Sequence, residues 1–168
     1  MGKKKQESGT PALQALIKAG VAYELIEYEH SEVMERGFAL DTVEVLGLDA
    51  GTVFKTLMSE VDGEPAVAIV PANGHLNPKS LAKALGAKRA QMMDPEKAER
   101  ITGYIRGGIS PLGQRRAYPT VIDASAENLE KMVISGGKRT ISVALAPADL
   151  AQLIKAKFAP IADPGAAH

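Results

Sequence analysis

The feature that most constrains the fold of this chain is a set of prolines, each placed directly after a residue whose side chain can cap a helix. The pairs are Thr10-Pro11, Asn77-Pro78 and Asp94-Pro95. Proline suits the first position of a helix because its missing N–H would have no helical partner there. A preceding Thr, Asn or Asp accepts a hydrogen bond from a free backbone N–H. Each pair therefore predicts the start of a helix.

Glycines predict where these helices end, because glycine readily takes the left-handed conformation that follows a last helical turn. Gly20, Gly86 and Gly103 lie at suitable distances from the three starts. We therefore expect helices over residues 11–19 and 78–85, and a third from residue 95 to Gly103. Two further helices are expected over residues 147–155 and 40–46.

Short runs of β-branched and apolar residues between the helices predict strands. The turn Asp62-Gly63-Glu64 separates two of them and predicts an antiparallel hairpin. Since hairpins alternate with helices and no strict βαβ repeat is visible, we expect an α+β fold. Its central sheet should be curled, mixed and largely antiparallel, with helices around it. The predicted strands cover residues 23–28, 52–61, 66–70, 120–123, 131–135 and 141–145.

The length of 168 residues predicts a single domain over residues 1–168, since domains average about 100–200 residues. Residues 1–9 and 159–168 are expected to be flexible tails, because the first carries a lysine run and the second is rich in Pro, Ala and Gly. No secretory signal and no run of about 18 apolar residues is visible, so we expect a cytoplasmic protein without a membrane partner. Either a monomer or a dimer is compatible with the sequence.

The charge balance bears on nucleic-acid binding. With 20 basic and 20 acidic residues, the chain lacks the overall field that gathers phosphates in a non-specific nucleic-acid binder. Any contact with RNA must come from local clusters, and three exist: Lys88-Arg89, Arg115-Arg116 and Lys138-Arg139. Each is equally compatible with solvated loop charge.

Several common catalytic devices are excluded or disfavoured. The chain has no cysteine, so it offers no thiol nucleophile and no Cys-based zinc site. His30, His75 and His168 are far apart in sequence, and we expect neither a metal nor a cofactor. Ser110 is a poor nucleophile candidate, because its surroundings depart from the G-x-S-x-G pattern and Pro111 follows it.

Two features remain as candidates for chemistry. The glycine pairs at 107–108 and 136–137 can bring backbone N–H groups close to an oxyanion or a carboxyl ester, or they can be simple tight turns. Lys55 is unusual because strand alternation places it on the same face as Val53 and Leu57. It either extends from a sheet edge into solvent or holds an anionic or carbonyl oxygen in a pocket.

Four segments, in their order and spacing, resemble the YbaK/EbsC family over about residues 11–158, and the run from Gly107 to Gln114 is the most specific. The resemblance implies a YbaK-like fold and an editing hydrolase that deacylates cysteinyl-tRNA(Pro). The substrate's own thiol would attack its ester, so the enzyme would also be classed as a lyase. Prolyl-tRNA synthetase is the implied candidate partner. The segments are Tyr28-Glu29-His30, Val53-Phe54-Lys55-Thr56-Leu57, Gly103-Tyr104 with Gly107-Gly108-Ile109-Ser110-Pro111-Leu112-Gly113-Gln114, and Ser135-Gly136-Gly137-Lys138-Arg139.

The same resemblance implies roles for individual residues. Lys55 would hold the terminal adenosine or the ester oxygens, while Gly107 and Gly108 would present backbone N–H groups to the aminoacyl carbonyl. The residues expected to shape the substrate pocket are Tyr28, Thr56, Ser110, Pro111, Ser135, Gly136, Gly137 and Ser142.

One position departs from the family pattern. Close relatives often carry an aspartate where this chain has Ser142, and a neutral hydroxyl offers less to a substrate ammonium. Three alternatives therefore stay open: a deacylase of alanyl-tRNA(Pro), a deacylase of another aminoacyl-tRNA, or a non-catalytic module that binds tRNA or a synthetase.

Overall fold

The computed structural model describes residues 9–30 and 37–163, and within these ranges the chain forms five α-helices, ten short strands and one turn of 3₁₀-helix. The helices are α1 (Pro11–Ala19), α2 (Phe38–Leu46), α3 (Pro78–Ala84), α4 (Pro95–Thr102) and α5 (Pro147–Ile154). The strands are β1 (Glu24–Glu27), β2 (Phe54–Val61), β3 (Glu64–Pro71), β4 (His75–Leu76), β5 (Ala90–Met92), β6 (Thr120–Asp123), β7 (Met132–Lys138), β8 (Ile141–Leu145), β9 (Lys157–Ala159) and β10 (Ala162–Asp163).

The cap-and-proline pairs begin helices as predicted. The Thr10 hydroxyl accepts a hydrogen bond from the backbone N–H of Leu13 at 3.1 Å. The Asn77 and Asp94 side chains cap α3 and α4 in the same way. All five predicted helices are confirmed, and their ends differ from the predicted ends by at most two residues.

The strands form three sheets. In the largest, with the order β5-β2-β3-β6-β9, β2 runs antiparallel to β3 and β5, whereas β6 runs parallel to β3 and β9. A second, antiparallel sheet has the order β1-β8-β7, and β10 pairs with β4. The predicted α+β fold with mixed and largely antiparallel pairing is confirmed, but the expected single central sheet is divided. A parallel bridge between Val53 and Val133 connects the first two sheets, and beyond it a cavity lies between the edge of β2 and β7.

The β2–β3 hairpin shows how local sequence sets the register of the largest sheet. Val61 pairs directly with Glu64, so the loop contains only Asp62 and Gly63. Both residues have positive φ, at 49° and 82°. Two consecutive positive φ values are typical of a type I′ turn, whose twist matches that of the strands and which favours Asp-Gly.

Strand β3 lies at the centre of the core, because both of its faces are buried. Val67 and Ile69 pack into a cluster with residues of α1, α5, β6 and β7. The intervening Ala68 and Val70 pack against α3 and Ile161 on the other face. A strand covered on both faces reads as a continuous apolar run, as this one does.

The end of the described chain corrects one prediction. Residues 159–163 were expected to belong to a flexible tail, but Ile161 is fully buried and β10 pairs with β4. The physical reason is Asp123, whose buried carboxylate accepts hydrogen bonds from the backbone N–H groups of Ile161 and Ala162, both at 2.9 Å, and of Ser125 at 3.2 Å. The other tail residues, 1–8 and 164–168, lie outside the described residues, whereas Gly9 is described.

We predict that Asp123→Ala lowers the free energy of unfolding by about 2–4 kcal/mol, because it leaves backbone N–H groups without an acceptor in a buried place. Amide hydrogen exchange should accelerate at Ile161 and Ala162 above all. Asp163→Ala is the matched control, since in the described part of the chain its exposed carboxylate accepts a long hydrogen bond from the Asn77 amide at 3.3 Å, and we expect a cost below about 1 kcal/mol. Equal losses in both variants would contradict the anchoring role of Asp123.

Candidate functional site

A cavity of about 350 Å³ lies between the edge of β2 and the second sheet. Residues Val53–Met58 form one side of it, and Ile134 and Ser135 of β7 lie on another. The beginning of α2 and the segment around Gly107 complete the wall. Six of the residues predicted to form the site line this cavity: Tyr28, Lys55, Thr56, Gly107, Ser135 and Ser142.

The cavity exists because one edge of β2 is only partly paired. Strand β3 pairs with β2 along its whole length, whereas β5 reaches only Ser59–Val61. On this second edge, Thr52 O accepts the Val133 N–H at 2.8 Å and Met58 O accepts the Met93 N–H at 3.1 Å. Backbone groups of alternate residues point to the same side of a strand. The Phe54 N–H belongs to the parallel bridge between Val53 and Val133. The C=O of Phe54 and the N–H and C=O of Thr56 face the following stretch of this edge, which borders the cavity.

Two side chains on this stretch of β2 carry polar groups that the protein itself leaves without a matching partner. The Thr56 hydroxyl oxygen is buried and has no hydrogen-bond partner. Lys55 is partly buried in the cavity wall, and this burial lowers the pKa of its ammonium group. Within the described residues we find no ion pair that compensates the charge. A desolvated cation beside an unpartnered hydroxyl is suited to hold an oxygen-rich ligand.

Three hydroxyl groups form a chain on another part of the wall. Tyr28 lies 2.9 Å from both the Thr42 and the Ser142 hydroxyl oxygens. The Thr42 hydroxyl donates to Phe38 O at 3.0 Å, so it accepts from Tyr28, which in turn accepts from Ser142. This order leaves the Ser142 oxygen able to accept a hydrogen bond from a ligand. Thr42 was not predicted to belong to the site.

Aromatic rings and a buried pair support this wall. His30 Nδ1 and Asp41 Oδ2 are 2.7 Å apart, and both side chains are largely buried. The His30 ring meets Tyr28 edge to face at 5.1 Å and Phe38 at 5.4 Å between ring centroids. The sequence interpretation missed Phe38, Asp41 and Thr42. Their spacing of three and four residues places them on one face of α2, which is the only sequence signal that could have identified them.

The glycine pair at 107–108 forms a tight turn. The Gly108 N–H donates to Ile105 O at 2.9 Å, and Gly107 has a φ of +82°, which fits the third position of a type II turn. A Cβ on Gly107 would lie 2.7 Å from the Phe38 ring, and one on Gly108 would lie 3.1 Å from the Lys138 backbone. The expectation that Gly108 offers its N–H to a substrate is therefore wrong, because the turn uses that group. Gly107 lines the cavity and keeps its candidate role.

The remaining predicted residues lie behind the cavity wall rather than on it. Ser110 is fully buried and accepts a hydrogen bond from the Leu112 N–H at 3.2 Å, and Pro111 is buried beside it. Gly136 O accepts from the Thr10 hydroxyl at 2.7 Å. Gly137 lies close against Thr10, where a Cβ would come within 2.9 Å. These four residues were expected to shape the substrate pocket, and in the structure they pack against other parts of the protein behind the cavity wall.

In residues 9–30 and 37–163, no group of three or more His, Asp or Glu side chains is placed to hold a metal ion. None of the helices in the described part of the chain has the length and apolar character needed to cross a membrane.

Comparisons with known proteins identify the family. Residues 39–153 match the family model described as the aminoacyl-tRNA editing domain. The chain belongs to this family. A relative from Enterococcus faecalis, EbsC, provisionally named a Cys-tRNA(Pro)/Cys-tRNA(Cys) deacylase, is 36% identical over 162 residues, which are 96% of this chain and 98% of the relative. The resemblance to the YbaK/EbsC family is thereby confirmed.

Other relatives carry the editing domain within a longer enzyme. Proline--tRNA ligase of Geobacter metallireducens is 30% identical over 115 residues, which are 68% of this chain but only 20% of that protein. A solved structure described provisionally as a trans-editing enzyme for prolyl-tRNA synthetase has a TM-score of 0.79 at 19% identity. The superposition covers 91% of this chain and 95% of the chain in that structure. This structural similarity supports the fold alone.

We predict that Gly107→Ala displaces Phe38 and lowers the free energy of unfolding by more than Gly86→Ala does. Both glycines have positive φ, at 82° and 68°, but a Cβ on Gly86 would meet no atom within 4 Å. The control should therefore lose only about 1 kcal/mol of left-handed strain, whereas Gly107→Ala adds about 1–3 kcal/mol of overpacking. Denaturant unfolding and the NMR shifts of the Phe38 ring measure the difference. Equal losses of unfolding free energy in the two variants, with unchanged NMR shifts of the Phe38 ring, would contradict the close contact between Gly107 and Phe38.

Proposed function

We propose that this protein hydrolyses the ester bond of mischarged aminoacyl-tRNA, with cysteinyl-tRNA(Pro) as the first candidate substrate. The observation that carries the proposal is Lys55, a partly buried ammonium group in a cavity that also exposes the edge of β2. Membership of the editing family and the 36% identity to EbsC support the same assignment. We further propose that the protein acts in the cytoplasm.

The cavity is suited to orient an aminoacyl ester and to stabilise the negative charge that forms on its oxygens. The Lys55 ammonium would bind the ester or ribose oxygens, where negative charge develops as the ester breaks. Gly107 would offer its backbone N–H to the aminoacyl carbonyl oxygen. Within the described residues we find no cavity-lining side chain activated as a nucleophile, since Ser135 accepts from the Gly137 N–H and Ser142 pairs with Tyr28. The protein would therefore rely on a nucleophile from the substrate or from water.

A cysteinyl ester can supply its own nucleophile. Its sulfur would form a bond to the ester carbonyl carbon, the carbon–oxygen bond to the ribose would break, and the thiol proton would pass to the released ribose oxygen. Water then opens the cyclic thioester, so the overall change is a hydrolysis. The comparisons support a deacylase and give no support to the lyase class expected from the sequence, and we do not retain that class.

Ser142 favours a second candidate, the hydrolysis of alanyl-tRNA(Pro) or another small aminoacyl ester. The hydroxyl chain leaves Ser142 able to accept a hydrogen bond from a substrate ammonium, but without the charge of a carboxylate. Such a substrate has no thiol, so water would have to attack the ester directly. A non-catalytic module that only binds tRNA is the third candidate. All three are separated by the same deacylation assay.

Prolyl-tRNA synthetase is the proposed protein partner. Its support is the similarity to segments of Proline--tRNA ligases. A chain with balanced charge lacks a strong general attraction for tRNA. Association with the enzyme that makes the mischarged product would bring the substrate close to the cavity.

We predict that the purified protein deacylates cysteinyl-tRNA(Pro) and that Lys55→Ala lowers the rate by about 100-fold or more, as expected for removal of a group that stabilises the breaking ester. Release of labelled amino acid measures the rate. Lys79→Ala removes an exposed lysine on α3 and is the matched control. Faster cleavage of alanyl-tRNA(Pro) would favour the second candidate, and salt-sensitive tRNA binding without any cleavage would favour the third.

The lowered pKa of Lys55 predicts a pH dependence. If the ammonium form is required, activity declines as the pH rises through this pKa, and the decline begins below the pH expected for an ordinary lysine. The rate should be corrected for uncatalysed ester hydrolysis, which increases with pH. Arg stays protonated across this range, so Lys55→Arg should remove the alkaline decline whatever activity it retains. If the activity of Lys55→Arg declines at the same pH as that of the wild type, the titrating group is not Lys55.

A further inference from the structure

The three basic pairs lie at different distances from the cavity, and only one of them lies beside it. The backbone N–H groups of Lys88 and Arg89 bond the Asp62 carboxylate at the tip of the β2–β3 hairpin. This tip lies roughly 20 Å along β2 from Lys55. Arg115 donates to Arg100 O at 3.1 Å, at the end of α4. The third pair, Lys138-Arg139, lies at the β7–β8 turn, directly against the glycine turn that borders the cavity.

Arg139 is held in place by two contacts. Its Nε–H donates to Arg106 O at 2.7 Å, and its guanidinium carbon lies 4.7 Å above the centre of the Phe38 ring. Both Arg106 and Phe38 line the cavity, whereas Arg139 itself is exposed. The guanidinium of Arg139 is therefore a positioned cation at the cavity mouth. Its two Nη groups are not needed for these contacts.

The charges around this position are predominantly positive among the described residues. The one carboxylate identified beside Arg106 and Arg139 is Glu99, which accepts hydrogen bonds from the backbone N–H and the Nε of Arg106 at 2.8 and 3.2 Å. These bonds and the nearby Arg139 charge lower the pKa of Glu99, so it stays ionised. Glu99 pairs with Arg106, and within residues 9–30 and 37–163 we find no ion pair of Arg139 with a carboxylate.

The proposed substrate presents a phosphate near this cation. In an aminoacyl-tRNA the ester lies on the ribose of the last nucleotide, and the phosphodiester to the preceding nucleotide lies on the other side of that ribose. If the ester occupies the cavity beside Lys55, this phosphate lies towards the mouth. Arginine binds phosphate through a planar fork of N–H donors, which Arg139 directs outward.

We infer that Arg139 binds the phosphate that precedes the terminal nucleotide, so that the single-stranded 3′ end of the RNA enters the cavity across Phe38. The inference rests on the proposed function, since it takes the substrate to be an RNA 3′ end. It assigns a phosphate-binding role to one basic pair out of three. Arg139 orients the substrate and takes no part in breaking the ester.

The test measures, as a function of salt, the binding of two ligands that carry no amino acid, the trinucleotide CCA and adenosine. Arg139→Gln should weaken trinucleotide binding about tenfold. It should reduce the slope of log affinity against log salt by about 0.7, the value for one phosphate of a single strand. Adenosine lacks the phosphate, and its binding should not change.

Two further variants complete the test. Arg139→Lys keeps the charge but cannot hold the carbonyl and present a fork at the same time, so its trinucleotide affinity should lie between wild type and Arg139→Gln. Arg89→Gln removes a basic side chain at the far hairpin and should leave both ligands unaffected.

Several results would overturn the inference: no binding of the trinucleotide, an unchanged salt slope in Arg139→Gln, or an equal loss of adenosine binding, which would mean that Arg139 only supports the cavity wall. Failure of the proposed function is distinguishable, because binding needs no turnover. An Arg139-dependent salt slope without ester cleavage would support the inference and contradict hydrolysis. Ester cleavage with a salt slope that does not depend on Arg139 would support hydrolysis and contradict the inference.

Discussion

The incomplete pairing of β2 is the constraint on which the site depends. On one edge, β3 pairs with the strand along its full length and fixes it in the core. On the other edge, the bridge to Val133 and the hydrogen bond from Met93 hold the strand at two points, and the stretch around Thr56 between them borders the cavity. A fully paired edge would close the sheet and leave no cavity. The same stretch carries Lys55, whose charge is costly to bury without a ligand.

Phe38 joins the other parts of the site. Its ring contacts His30 on one side and the Arg139 guanidinium on another, and it leaves no room for a side chain at Gly107. The glycine turn, the β7–β8 turn and the start of α2 therefore meet at one ring. Because these segments are far apart in sequence, a change in the ring position would alter the cavity wall and the cation at its mouth together.

Much of the local structure could be predicted from sequence, because its causes are local. Caps such as Thr10, the Asp62-Gly63 turn and the apolar run of β3 each act through neighbouring backbone. The strands β4, β5, β9 and β10 were missed, since pairing partners rather than their own composition make them strands. The tail boundary at residue 159 was misplaced for a similar reason, because the acceptor that anchors this segment is Asp123, more than 35 residues earlier.

The sequence by itself determined the cap-and-proline helix starts, the presence of the β2–β3 hairpin and, through motifs around Lys55 and Gly107, the family to which the chain belongs. Only the tertiary structure decided which motif residues reach the cavity. It placed Lys55, Thr56 and Ser142 on its wall and Ser110 behind it, and it used the Gly108 N–H for a turn. The physical reason is that a motif records residue types that must be kept, whether for packing or for chemistry. Whether a motif residue serves packing or chemistry depends on its contacts with segments distant in sequence, and only the tertiary structure shows these contacts.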